Sequence, residues 1–176
     1  MAEFRKIPVS DFECAPIRMI AKDWMLFTSS KPDGTFNPMT VSWGGIGELW
    51  GKNVVFIFVR PQRYTHDFTE AGDTATLTWF EEKYRETLAF CGAKSGRDVD
   101  KVAESGLTPQ NDGDNAIYYS EAKIVFKLKK LYANKKVFTP KNATDPSLFD
   151  FHYKKKDYHT MYVYEILEIL EILDRD

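Results

Sequence analysis

The run Val54-Val55-Phe56-Ile57-Phe58 is apolar without alternation, which predicts a short strand buried on both faces. Upstream, Trp24-Met25-Leu26-Phe27-Thr28-Ser29-Ser30 predicts another strand. Lys31-Pro32-Asp33-Gly34 predicts a turn, since Pro presets φ and Gly accepts positive φ. Phe36 to Trp43 then returns as the second arm of a hairpin. Its period of two places Thr40 and Ser42 on one face and Met39, Val41 and Trp43 on the other. Three glycines in Gly44-Gly45-Ile46-Gly47 are expected to break that strand. Thr74 to Phe80 alternates hydroxyl with apolar side chains, as a half-buried strand does.

Helical pattern enters in short pieces. Thr65 is a plausible N-cap for a helix over His66 to Ala71, ended by Gly72. Tyr84, Leu88 and Cys91 form one stripe of a helix that starts near Glu81 and ends at Gly92. A turn of small residues leads into a second helix, Val99 to Glu104, closed by Gly106. Thr108 to Asn115 reads as a loop. Tyr118 to Tyr132 predicts a strand with Ile124, Phe126 and Leu128 on one face. Lys123, Val125, Lys127 and Lys129 share the other, expected to be basic and wet. Residues 133–156 make a long turn-rich connection. Its Phe138, Phe149, Phe151 and Tyr153 suggest that it covers something apolar, such as a partner subunit. Asp157 to Ile166 predicts a last strand. The tail Ile166 to Leu173 repeats every three residues and stays open between helix and strand. Residues 1–23 read as a leading edge segment packed onto the domain.

Bulk properties narrow the class. At 176 residues, 43% hydrophobic and 28% charged, the chain fits one globular domain, 1–176. A net charge of −2 carries no global signal for nucleic acid. The two cysteines, Cys14 and Cys91, show no metal or redox spacing. No apolar signal core opens the chain, and no stretch approaches the ~18 apolar residues of a membrane span. A cytoplasmic location is the resulting expectation. The 15% aromatic share fits a planar ligand, an oligomer interface or a β-rich core.

Candidate chemistry gathers at Val59-Arg60-Pro61-Gln62-Arg63-Tyr64-Thr65. Two guanidinium forks, a phenol and a hydroxyl stand at the end of a buried strand and feed a helix N-terminus. That combination suits a phosphate, and it equally describes a solvated turn. Ser95, Arg97 and Lys101 can bring a hydroxyl and two cations to a common point, or form local ion pairs. Cys91 reads as a small core hydrophobe. Asn111-Asp112-Gly113-Asp114 lacks the spacing of a calcium loop. His66, His152 and His159 are too scattered for zinc, and no metal is expected. His159 reads as a hydrogen-bonded structural residue or as part of a ligand wall.

Four segments together resemble the flavin reductase-like, FMN-binding split-barrel proteins, in particular the flavoredoxin-like branch. They are Asn37-Pro38-Met39-Thr40-Val41-Ser42-Trp43-Gly44, Val59 to Thr65, Cys91 to Lys101, and Glu121-Ala122 opening a strand. Tyr158-His159-Thr160-Met161-Tyr162 to Glu165-Ile166 is similar to the family's closing strand. The resemblance runs from about Trp24 to Ile166. It implies a mainly β fold, a six-stranded antiparallel Greek-key split barrel with flanking short helices, working as a homodimer with FMN near the interface. It also implies that Asn37, Thr40, Val41, Ser42 and Trp43 border the flavin. Arg60, Arg63, Tyr64 and Thr65 surround its phosphate, and Ser95, Gly96 and Lys101 approach from the next segment. Tyr164 departs from an expected glycine, and Val125-Phe126 stands where the family often has cysteine. The implied activity is that of an oxidoreductase or electron carrier, with NAD(P)H or a redox protein as partner. A split-barrel protein that holds flavin or haem without turnover is the alternative. No side chain is assigned as a catalytic acid or base.

Overall fold

The chain runs β1 (Phe4–Ile7), α1 (Pro16–Arg18), β2 (Met25–Ser30), β3 (Phe36–Val41), β4 (Gly44–Leu49), β5 (Lys52–Val59), α2 (Tyr64–Ala71), β6 (Thr74–Trp79), α3 (Arg85–Ala93), α4 (Lys101–Ser105), β7 (Pro109–Gln110), β8 (Tyr118–Tyr119), β9 (Ile124–Asn134), α5 (Ser147–His152) and β10 (Thr160–Ile172). The structure is a computed structural model and describes residues 2–173, so the expected domain, 1–176, reaches past it at both ends.

Eight strands form one antiparallel sheet in the order β3-β2-β6-β9-β10-β5-β4, with β1 also paired to β10. Its two edges, β3 and β4, are consecutive in the chain and joined by Ser42 and Trp43 alone. Laid flat, six strand spacings would separate those edges by roughly 29 Å. Three peptide steps from Val41 to Gly44 span at most about 11 Å. The sheet therefore rolls into an open, split barrel whose split converges on Ser42-Trp43. Where six strands are expected, β1 and β4 extend the sheet. The glycine run does not break the chain. It becomes edge strand β4, paired with β5 from Gly44↔Ile57 to Leu49↔Lys52.

β10 organises the rest. One of its edges pairs with β9 along most of its length, with register shifts at Val163/Tyr164 and Ile166/Glu168. Its other edge pairs first with β5, from Thr160↔Val59, and then with β1, up to Phe4↔Ile172. Neighbours on both edges decide the open tail in favour of strand. Met25, Phe27, Val55, Ile57, Leu77, Phe126, Tyr162 and Tyr164 fill the barrel. Leu26, Leu88, Cys91, Tyr119 and Val125 form a second core beneath α3 and β8. Tyr164 is fully buried and packs edge-on to Phe27, with ring centroids 5.5 Å apart.

Three further expectations need correction. β6 is not half-buried: Thr76 and Thr78 are fully buried, and their hydroxyls donate to the Ile117 and Leu26 carbonyls. The face expected to be basic and wet is so only in part: Lys129 is exposed and Lys123 half-buried, while Val125 is fully buried and Lys127 is 6% exposed. The Lys127 ammonium reaches Asp112 (2.6 Å), Asp114 (3.1 Å) and Glu168 (3.7 Å), and these carboxylates make its burial tolerable. The 108–115 segment is also not wholly loop, since Pro109-Gln110 pairs with Tyr118-Tyr119. Among the described residues no helix is long and apolar enough to cross a membrane.

Candidate functional site

The end of β5, the start of α2, the end of β3 and the turn before α4 meet around a cleft of about 530 Å3. That lies within the roughly 300–1,000 Å3 of small-molecule sites. Ten of the twelve candidate residues line it: Thr40, Val41, Ser42, Trp43, Arg60, Arg63, Tyr64, Thr65, Ser95 and Lys101. Asn37 and Gly96 line an adjoining cleft instead.

The local folding of α2 creates the polar end. The helix starts at Tyr64, one residue before the expected cap at Thr65, and Arg63 is its N-cap residue with no side-chain capping bond. The first-turn N–H groups of Tyr64 and Thr65 therefore lack intrahelical acceptors at the cleft wall. The Asn37 amide donates to Thr65 Oγ1 at 2.7 Å in a buried contact. Acting as acceptor there, Thr65 keeps its own proton to donate. Asn37 thus works through Thr65. Gly72 ends α2 in an extended conformation, and a Cβ at that position would overlap the Ser30 carbonyl oxygen. Glycine is needed there for close approach and not for a left-handed turn.

The cations differ in their commitments. The Arg60 guanidinium donates to Asp157 Oδ2 and to the His152 carbonyl, each at 2.9 Å, and lies over the Tyr153 ring. Arg63 has no carboxylate partner among the described residues, and burial together with nearby Arg60 draws its pKa below the ordinary value. Lys101 is 4% exposed and donates to the Pro38 and Cys91 carbonyls at 2.9 and 2.8 Å. Burial, opposed in part by Cys91 and reinforced by Arg63, lowers its pKa to about 8. No carboxylate faces it among the described residues. One end of the cleft therefore gathers buried positive charge with two cations lacking anionic partners.

The strand side is less uniform. Thr40 donates its hydroxyl to the Leu88 carbonyl at 2.5 Å, while Ser42 is exposed. Val41 places its side chain in the barrel core, so its main chain is what borders the cleft. Trp43 packs against His152 and His159, with centroids 5.0 and 5.1 Å away. Ser95 Oγ accepts from the Arg97 amide at 3.2 Å. The Arg97 side chain turns away from this cleft toward Asp67, at 2.7 Å. Cys91 is fully buried, and burial pushes its thiol pKa up, in keeping with a core residue.

Other wall residues are Met39, Phe58, Gln62, Ala93, Lys94 and His159. The alternation of β5 holds the signal for Phe58, which is half-buried between Ile57 and Val59 in the core. His159 shares a 2.8 Å hydrogen bond with the Tyr153 hydroxyl. Burial, helped by Arg60, drops its pKa to about 4, so the imidazole is neutral at neutral pH. The long connection before β10 contributes an aromatic wall: Phe138 packs on Phe58, Tyr153 and Phe149. Within its own chain it covers Phe58 at the cleft wall.

No family model matches the sequence, and no curated protein matches it. Solved structures do. An FMN-binding domain of a flavin reductase-like enzyme from Shewanella baltica superposes with a TM-score of 0.67 at 11% identity, covering 97% of this chain and 78% of that one. Flavoredoxin of Desulfovibrio vulgaris gives 0.65 at 20% identity, covering 87% and 72%. An NADH:FAD oxidoreductase of Streptomyces globisporus gives 0.62 at 13% identity, covering 85% and 75%. At these identities the likeness shows the fold: the chain is a split barrel of the kind found in these flavin proteins.

Proposed function

We propose that this protein is a flavin-binding oxidoreductase or electron carrier whose cleft holds FMN. The carrying observation is the cluster of Arg63 and buried Lys101, with no facing carboxylate among the described residues, beside the uncapped first turn of α2. A phosphate monoester bears nearly two negative charges and three strong acceptors. It would supply the missing counter-charge and take the N–H groups of Tyr64 and Thr65. Trp43, Phe58 and the neutral His159 offer flat surfaces for the ring system. A bound flavin supplies hydride and single-electron chemistry, while the protein binds, orients and shields it. Arg60 serves the site by fixing the aromatic wall through Asp157.

A homodimer belongs to this reading. Exposed Leu148 and Phe151 on α5, linked through His152 to Trp43, support a covering surface beside the cleft. Two unpaired cysteines support a reducing, cytoplasmic setting.

The test is ligand titration followed by reduction. Arg63→Ala should weaken FMN by about 10–100-fold, as one or two charge-assisted hydrogen bonds are lost, and riboflavin far less. Equal loss for both ligands rejects the phosphate assignment. Failure to take up any flavin rejects the function. Bleaching of the bound flavin by NAD(P)H without oxygen marks a reductase, and bleaching by dithionite alone marks a carrier.

A further inference from the structure

Residues 133–156, which lead from the end of β9 toward β10, hold six lysines against two aspartates, in a chain whose net charge is −2. The rest of the molecule is therefore net acidic, and positive charge is concentrated on this segment. Lys135 pairs with Glu70. Lys136, Lys141, Lys154, Lys155 and Lys156 are exposed, and none of them forms an ion pair among the described residues. The last three are consecutive. They occupy a turn closed by the Lys156 N–H, which donates to the Tyr153 carbonyl at 2.8 Å. Lys156 holds a left-handed φ of 55°, which Gly or Asn would adopt at lower cost.

The turn is fastened to the cleft at both of its ends. Before it, the Tyr153 hydroxyl shares a 2.8 Å hydrogen bond with His159 of the cleft wall. After it, Asp157 accepts from Arg60, also of the wall, at 2.9 Å. Rings run outward from that wall. His159 and Tyr153 have centroids 5.5 Å apart, and Tyr153 and half-buried Tyr158 have theirs 5.1 Å apart. A short aromatic route thus joins the cleft to the surface that carries the lysines. The occupant this surface fits is acidic and compact. An extended polyanion would also lie across the acidic remainder of the molecule and be repelled there. A second copy is excluded by symmetry, since a two-fold contact centred on the turn sets its lysines against one another. An acidic protein face meets unpaired ammonium groups and is steered to the cleft end of the molecule.

We propose that the Lys154–Lys156 turn docks a small one-electron redox protein by an acidic face, and that electrons enter the cleft from it past Tyr158, Tyr153 and His159. This rests on the flavin reading above. Each of two reduced partner molecules in turn gives up one electron and leaves oxidised; the pair reduces the bound flavin, whose protons come from solvent. The experiment is stopped-flow reduction of the FMN-loaded full chain, with a reduced plant-type [2Fe–2S] ferredoxin as the acidic probe and dithionite as the small-molecule control. It compares wild type with the double variant Lys154→Glu/Lys155→Glu at about 0.01 M and about 1 M salt, where charges act over roughly 30 and 3 Å. The wild-type rate with ferredoxin should fall steeply with salt. The variant should lose about 10–100-fold of that rate at low salt and little at high salt. FMN affinity and the dithionite rate should stay unchanged, since neither lysine lines the cleft. If FMN binds but the variant keeps the wild-type ferredoxin rate and salt slope, the docking proposal falls while the flavin reading stands. Equal losses with ferredoxin and dithionite also overturn it, since the lysines would then support the cleft itself. So does salt-sensitive retention on heparin or phosphatidylserine vesicles that the variant loses while its ferredoxin rate holds, which would assign the turn to a polyanion. If the chain takes up no flavin, the flavin reading falls and takes this proposal with it.

Discussion

Lys101 is a buried cation held by two carbonyl oxygens, and its charge depends on what occupies the cleft. Its pKa in the folded chain is lowered to about 8 by burial, against 10.5 ordinarily. The unfolded chain thus holds the proton over a pH range in which the folded one has released it. Without ligand, stability should rise with pH through that range. A phosphate beside the ammonium raises the pKa again. Its contribution to affinity is therefore whole below the free-site pKa and declines as pH climbs through the raised value. The ratio of riboflavin to FMN dissociation constants should fall between neutral pH and about pH 10. Lys101→Met should lower the ratio at neutral pH and flatten the profile; an unchanged profile in that variant would exclude Lys101 as the source. The chemistry of Arg63, Thr65 and Lys101 was legible from residue type and spacing. The commitment of Arg60 to Asp157 was not, because the partners lie 97 residues apart and meet only through the fold.

At the scale of elements, α2 and β2 approach so closely that Gly72 has no room for a side chain. Gly72→Ala should cost about 1–3 kcal/mol in urea unfolding, the usual range for overpacking. Gly47→Ala, on edge strand β4 with open space around it, should be neutral or slightly stabilising. Comparable losses in both would mean that close approach is not what Gly72 provides. Most strands were legible from alternating side-chain type and β-branched or aromatic content, as in β6, even though burial there runs through consecutive positions. The misses share a cause. β4 carries almost no side chains to pattern, yet pairing with β5 holds it extended. The tail of β10 has a near-helical period, which flanking strands override. Lys127 looks solvated until Asp112 and Asp114 from one loop and Glu168 from β10 are brought around it.

For the molecule as a whole, barrel and connection are tied by ion pairs, Arg60 to Asp157 and Glu70 to Lys135, and by aromatic contacts such as Phe58 to Phe138. Arg60 at the end of β5 grips Asp157 and the His152 carbonyl, and Gln62 also donates to Asp157. Asp157→Ala should release the aromatic segment around Phe138 and Phe149 from Phe58. Hydrogen exchange and protease cleavage should rise there while β2, β6 and β9 stay protected. Uniform deprotection across the sheet would show that Asp157 supports the barrel itself. The position of β10 has a consequence for synthesis. It joins β1, β5 and β9, and it leaves the ribosome after all three. Until it emerges, β1 has no strand to pair with, and β5 and β9 each expose an edge that waits for it. The nascent chain therefore carries an unfinished sheet until β10 has emerged, the interval in which a chaperone has most to shield.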